Sequence, residues 1–260
     1  MRRFFIVLIL LFSSQVYALE WKEDDRLSPL FKQFEANGTF VLYDVSTNQF
    51  TGHNKARAET RFVPASTFKI AHTLIGLSVG AVSNVDEVLP YGGQPQPIKS
   101  WEQDMGLREA IKVSNVPIYQ ELARRIGLEN EQENLSKLKY GNEQVGKNLT
   151  TFWLVGPLKI SAIEQTQFLA DLAQEKLPYP QPIQKAVQDI IELEKGDHWV
   201  LYGKTGWENA PNPGVGWWVG WVKKEDHIYT FALNMDIEKA TDASKRVELA
   251  KACLKTLSIL

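Results

Sequence analysis

Pro64-Ala65-Ser66-Thr67-Phe68-Lys69-Ile70-Ala71 sets a lysine three residues after a serine, in a run that stays apolar through Leu74 and Ile75. Positions three apart share one face of a helix, so Lys69 stands beside Ser66. A serine hydroxyl is a weak nucleophile until a neighbouring base takes its proton. Lysine is normally a cation, but burial among apolar side chains disfavours the charge and lowers its pKa, in extreme cases by roughly 3–5 pH units. The spacing alone is a weak signal, because Ser136-Lys137-Leu138-Lys139 repeats it. That second pair lies in the polar stretch from Glu131 to Asn142, with little to dry its lysine, and is read as chance.

Outward from this segment the pattern is mostly helical. Apolar spacing predicts helices over Thr67–Leu77, Leu107–Lys112, Pro117–Arg125, Ala162–Ala173 and Ile183–Ile191. Strands flank this helical middle on both sides. Gly38–Val45 and Gln49–Gly52 read as a hairpin turned by Ser46-Thr47-Asn48, and Trp199–Lys204, Gly216–Val222 and Ile228–Asn234 follow late in the chain. Residues 208–214 form a loop between two of the late strands, and a closing helix spans Ala243 to Leu257. Strands at both ends with helices between them predict an α/β fold: an antiparallel sheet built from both chain ends, flanking helices, and an inserted helical lobe. Residues 19–260 then form one domain, with a sheet lobe at about 19–60 and 195–260 and a helical lobe at about 61–194.

The first eighteen residues read as an export signal. Arg2-Arg3 precede a short apolar run from Phe4 to Phe12, and Val16-Tyr17-Ala18 supplies the small residues of a cleavage site. The run is too short for a stable membrane span. Cleavage after Ala18 takes the 260 residues to 242, and loss of the two arginines takes the formal charge from −2 to −4. A mildly acidic chain without basic clusters excludes nucleic acid and anionic lipid as expected partners. Cys253 is the only cysteine, so no intrachain disulfide forms, and its place on the apolar face of the last helix makes it core filler. No Cys/His spacing suggests a metal. The four histidines (His53, His72, His198 and His227) are scattered and flank no evident carboxylate pair, and His72 reads as a partly buried helix residue.

Two further segments join the serine and lysine. Ser114-Asn115-Val116 and Lys204-Thr205-Gly206 follow in the order of the Ser-x-x-Lys, Ser-Asp-Asn and Lys-Thr-Gly pattern of serine enzymes that open cyclic amides, with Ser-Asn-Val standing where that pattern has Ser-Asp-Asn. With Tyr140-Gly141-Asn142, Phe152-Trp153-Leu154 and Gly216-Trp217-Trp218-Val219-Gly220-Trp221, the chain resembles the class D (oxacillinase-type) serine β-lactamases over nearly its whole mature length.

The resemblance implies hydrolysis of penicillin-type β-lactams through an acyl-enzyme on Ser66, conferring resistance. It implies that Lys69, N-carboxylated by carbon dioxide or bicarbonate, is the general base, with no other cofactor and no metal. Trp153 would hold the carbamate, and Val116 would wall the lysine. Ser114 would relay a proton to the lactam nitrogen. The backbone N–H groups of Ser66 and Trp207 would form the oxyanion hole. Lys204, Thr205, Gly206 and Arg246 would bind the substrate, Arg246 through a fork suited to a carboxylate. Tyr140-Gly141-Asn142 would be a turn shaping the cleft. The resemblance further implies a periplasmic enzyme without membrane attachment after signal cleavage, either monomer or homodimer. A penicillin-binding transpeptidase shares the acylation chemistry, and Trp153 and Val116 argue against that reading. A membrane-bound β-lactam sensor would need spanning segments.

Overall fold

The computed structural model describes residues 20–209 and 211–260. The export signal expected at residues 1–18 lies outside the described residues, as does Ala210 in the 208–214 loop.

The chain opens with β1 (Glu20–Glu23) and α1 (Ser28–Gln33), then makes the hairpin of β2 (Gly38–Asp44) and β3 (Gln49–His53), followed by α2 (Lys55–Glu59). A 3₁₀ turn over Ala65–Phe68 runs directly into α3 (Lys69–Ser78). The helical middle continues with α4 (Leu107–Lys112), α5 (Val116–Ile126), α6 (Leu128–Leu138), α7 (Ala162–Ala173) and α8 (Gln181–Ile190). The chain then returns to the sheet as β4 (Glu192–Lys195), β5 (Trp199–Glu208), β6 (Gly214–Lys224) and β7 (His227–Ile237), and ends in α9 (Lys245–Thr256).

The strands form one sheet in the order β1-β3-β2-β7-β6-β5-β4. The first and last parts of the chain meet where β2 pairs with β7, so the sheet is completed by both ends, as expected. One edge corrects the expectation of a wholly antiparallel sheet: β1 lies parallel to β3. The β2–β3 hairpin folds back and returns β3 beside β1 in the same sense. Strand alternation gives the sheet two buried faces. On β6, Val215, Trp217, Val219 and Trp221 join the core beneath the helical lobe, while Trp218 and Val222 join the core under α1 and α9. A sheet covered on both faces reads as a nearly unbroken apolar run, and β6 is such a run.

Local chemistry sets the helix starts. Ser161 and Glu164 form a capping box that opens α7. Asn115 caps α5 by accepting from the Ile118 N–H at 3.1 Å. α6 escaped the sequence reading because its buried face includes Glu131 and Asn134 beside Leu135 and Leu138, which blurs the apolar period. β1 and β4 are mostly exposed and show no alternation to read. The Ser136/Lys139 pair is exposed on both residues, which fits its reading as chance.

Candidate active site

Three neighbouring contacts hold the turn that carries Ser66. Phe62 and Ile160 exchange backbone hydrogen bonds at 2.9 and 2.8 Å. The Trp217 indole on β6 donates to Val63 O at 2.8 Å. Thr67 Oγ1 donates to Pro64 O at 2.7 Å and accepts from Gln165 Nε2 of α7 at 2.8 Å. Ala65 adopts φ 49°, a left-handed conformation that costs an alanine about 1 kcal/mol or more and persists only where the surroundings enforce it. Phe68 is buried against Tyr140, Phe152 and Trp153 at ring distances of 5.4, 5.3 and 6.1 Å. This anchoring leaves Ser66 half-buried at the start of the helical segment, where the early N–H groups lack partners within the helix.

Lys69 begins α3, and its side chain has no solvent exposure. Its Nζ donates to Ser66 Oγ at 2.8 Å and lies 5.1 Å from the centre of the Tyr119 ring. Burial first, and the positive charge of Lys204 second, hold its pKa well below the ordinary lysine value. An uncharged amine within hydrogen-bond reach of a hydroxyl can accept its proton. Tyr119, Thr73 and Gln165 were not singled out by the sequence reading. The Tyr119 and Thr73 hydroxyls meet at 2.8 Å, and Thr73 also donates to Lys69 O at 2.8 Å, which fixes the lysine's own turn.

The segment after α4 supplies Ser114, which adopts φ 54°. Asn115 is wholly buried, and the cap it forms on α5 keeps Ser114 at the tip of the turn. Lys204 Nζ, reaching from β5, hydrogen-bonds Ser114 Oγ and also donates to Thr205 O at 3.0 Å. Burial, and next the charge of Arg246, bring the Lys204 pKa down from 10.5 to about 7. Val116 is half-buried at the first position of α5.

β5 presents an edge to the Ser66 turn. Gly203 donates its N–H to Ile191 O, away from β6. Strand alternation then turns the N–H groups of Thr205 and Trp207 to that same edge, while Lys204 and Gly206 pair with β6. Gly206 is required by contact: a methyl there would lie 2.8 Å from Pro64 O and 3.0 Å from Thr67 Cγ2. The strand therefore lies directly against the turn that carries the nucleophile. Arg246, in the first turn of α9, crosses Gly216, where a methyl would meet its Cδ at 2.8 Å. Its guanidinium donates to Gly206 O and, at 2.6 Å, to Ala243 O. Burial lowers the Arg246 pKa to about 10. The neighbouring charges are committed elsewhere: Lys245 pairs with Asp242 and Lys251 with Glu194.

Trp153 is fully buried, and its indole Nε1 has no hydrogen-bond partner among the described residues. Tyr140-Gly141-Asn142 is a turn, as expected. Gly141 has φ 57°, and a methyl there would lie 2.1 Å from Lys159 O, while Asn142 Oδ1 accepts from the Lys159 N–H at 2.9 Å. Burial pushes the Cys253 thiol up to about 12, in keeping with a core residue. Among the described residues no group of three or more His, Cys, Asp or Glu side chains is placed to hold a metal. The histidine reading needs one correction: His72 is wholly buried and faces Glu131, with Nε2 2.6 Å from Oε1. The pairing was invisible in the sequence because the two residues lie on different helices, α3 and α6.

The arrangement thus joins an acylatable hydroxyl, a dry amine, a second hydroxyl–lysine pair, an edge of free N–H groups and an arginine. Comparison with known proteins agrees in every direction. Residues 38–255 match the family model for the penicillin-binding protein transpeptidase domain. The β-lactamase OXA-5 of Pseudomonas aeruginosa is 39% identical over 88% of this chain and 87% of its own length. The β-lactamase OXA-48 of Klebsiella pneumoniae is 37% identical over 94% and 92%. The crystal structure of FUS-1 (OXA-85), a class D β-lactamase from Fusobacterium nucleatum subsp. polymorphum, superposes with a TM-score of 0.88 at 45% identity, covering 92% of this chain and all of that one.

Proposed function

Because the chain belongs to the class D β-lactamases, we propose that it hydrolyses penicillin-type β-lactams through a serine acyl-enzyme and thereby confers resistance. The observation that carries this reading is the buried Lys69 amine 2.8 Å from Ser66 Oγ. As Ser66 attacks the lactam carbonyl, its proton passes to the base on Lys69. The developing oxyanion is held by the N–H groups of Ser66 and Trp207. Losing one such donor typically costs about 3–4 kcal/mol of transition-state stabilisation. Ser114, bonded to Lys204, gives a proton to the departing nitrogen. Thr205, Lys204 and Arg246 orient the substrate carboxylate beside Gly206.

The residues also fit an N-carboxylated Lys69. Only an uncharged amine adds to carbon dioxide, and burial lowers the pKa of this one and so favours its uncharged form. The unpartnered Trp153 indole is a donor with no acceptor capacity, suited to an anion. When present, the carbamate supplies an anionic base for the water that releases the acyl group. Val116, half-buried at the start of α5, would wall this site.

Export with cleavage after Ala18, and action in the periplasm on a small-molecule substrate, belong to the same proposal. No helix among the described residues is long and apolar enough to cross a membrane.

The test is turnover of a chromogenic cephalosporin by the mature protein, before and after dialysis at acidic pH, with and without bicarbonate. Ring opening that recovers on adding bicarbonate is expected. Stable acylation without turnover in bicarbonate would assign a penicillin-binding role instead.

A further inference from the structure

The buried couple of His72 and Glu131 has no place in the mechanism above, and its surroundings suggest one. Both side chains are wholly buried, and Nε2 and Oε1 approach to 2.6 Å without the alignment of a hydrogen bond; among the described residues neither side chain has another close polar partner. Burying such a couple is costly relative to apolar side chains of the same volume, and it is weak evidence of a stabilising role. Its location beside Trp153 supplies another reason.

His72 lies three residues after Lys69 on α3, so the two share a helix face. Its ring meets the Trp153 indole at 4.9 Å and 62°, edge to face. Trp153 also touches Phe152 at 5.0 Å and Phe68 at 6.1 Å. The Phe152 contact is also edge to face, at 83°, and the Phe68 ring is tilted at 35°, but neither phenylalanine carries a polar group. The indole N–H makes no hydrogen bond that would fix the ring's rotation. Of these three neighbours, only His72 is tied by a polar contact to a second helix.

We propose that the His72–Glu131 couple is a positioning device for the base on Lys69. Glu131 on α6 clamps the His72 ring, and the ring holds the Trp153 indole where its N–H can reach an anion carried by Lys69. This inference rests on the carboxylated-lysine reading.

The test uses the full mature chain as wild type, as E131Q, and as the double variant H72F/E131Q. Phenylalanine keeps an aromatic ring against Trp153, and replacing both residues together leaves no ionisable group buried without its partner. Two readouts apply to each protein: the bicarbonate concentration that restores half of activity after acidic dialysis, and the carbamate carbon signal in ¹³C-bicarbonate NMR. The double variant is expected to need roughly five- to tenfold more bicarbonate, the size of coupling between contacting groups. Its acylation rate at saturating bicarbonate is expected to stay near wild type. E131Q is expected to move in the same direction, and it carries the test should the double variant fail to fold. A variant that melts earlier but keeps the wild-type bicarbonate dependence would show the couple to be merely structural and overturn the inference. A wild type that gives no carbamate signal and ignores bicarbonate would overturn the carboxylated-lysine reading, and the inference with it.

Discussion

Replacing Lys204 with methionine separates what this lysine does for the reaction from what its burial costs the fold. Lys204 is 6% exposed, and its pKa falls from 10.5 to about 7. A tenfold change in proton affinity is worth about 1.4 kcal/mol, so the buried charge costs the folded state roughly 5 kcal/mol. The sign follows from proton counting. Between pH 7 and 10.5 the unfolded chain binds a proton at this lysine that the folded chain has shed, so stability rises with pH across that window. The full penalty stands below about pH 7 and is gone above about pH 10.5. Methionine keeps the volume and removes the charge. Lys204→Met should therefore be stabilised relative to wild type at pH 6, with the gain shrinking by roughly 2–3 kcal/mol by pH 9. Loss of the hydrogen bond to Ser114 costs about 1 kcal/mol at every pH and leaves the slope untouched. Lys69 shares the sign but is present in both proteins, and its first cause is burial, so most of its effect cancels in the difference. Urea unfolding of both proteins at pH 6 and pH 9, in buffers stripped of carbon dioxide, reads the difference. Hydrolysis should fall steeply in the variant despite its greater stability. A stability difference that is the same at both pH values would refute the buried-charge account.

Two other substitutions probe the site from different sides. Trp153→Phe removes the unpartnered donor together with part of the buried ring's volume, and the donor is needed by the anion that drives deacylation, so pre-steady-state kinetics should show deacylation slowed more than acylation; equal losses would count against anion support. Gly206→Ala pushes a methyl to 2.8 Å from Pro64 O. Separating β5 from the Ser66 turn should cost roughly 1–3 kcal/mol of stability and most of kcat. A thermal midpoint and kcat both near wild type would show the strand is free to move away.

Several features were legible along the chain because they depend on near neighbours. The Ser66/Lys69 pairing needs only one helical turn. The α7 boundaries at Ala162 and Ala173 match because a capping box and an apolar stripe both lie within a few residues. β6 was evident from its unbroken apolar run, although it extends to Gly214 and Lys224 beyond the expected Gly216–Val222. α6 and the exposed edges β1 and β4 were missed, since a polar buried face or a solvated strand leaves no period to detect. Ser66 was expected at the N-terminus of a helix running from Thr67, and it lies in a 3₁₀ turn that leads directly into α3. Gly206 and Trp217, more than a hundred residues away, pack against that turn.

By itself, the amino-acid order determined which groups could react: one hydroxyl with an amine a turn away, a second serine, and a lysine and an arginine late in the chain. Those are properties of side-chain type and short spacing. Only the packed structure decided that the Lys69 amine is dry, that Lys204 reaches Ser114, that Arg246 meets Gly206 rather than solvent, and that His72 faces Glu131. Desolvation and charge proximity are sums over neighbours brought together from distant parts of the chain, and no local pattern encodes them.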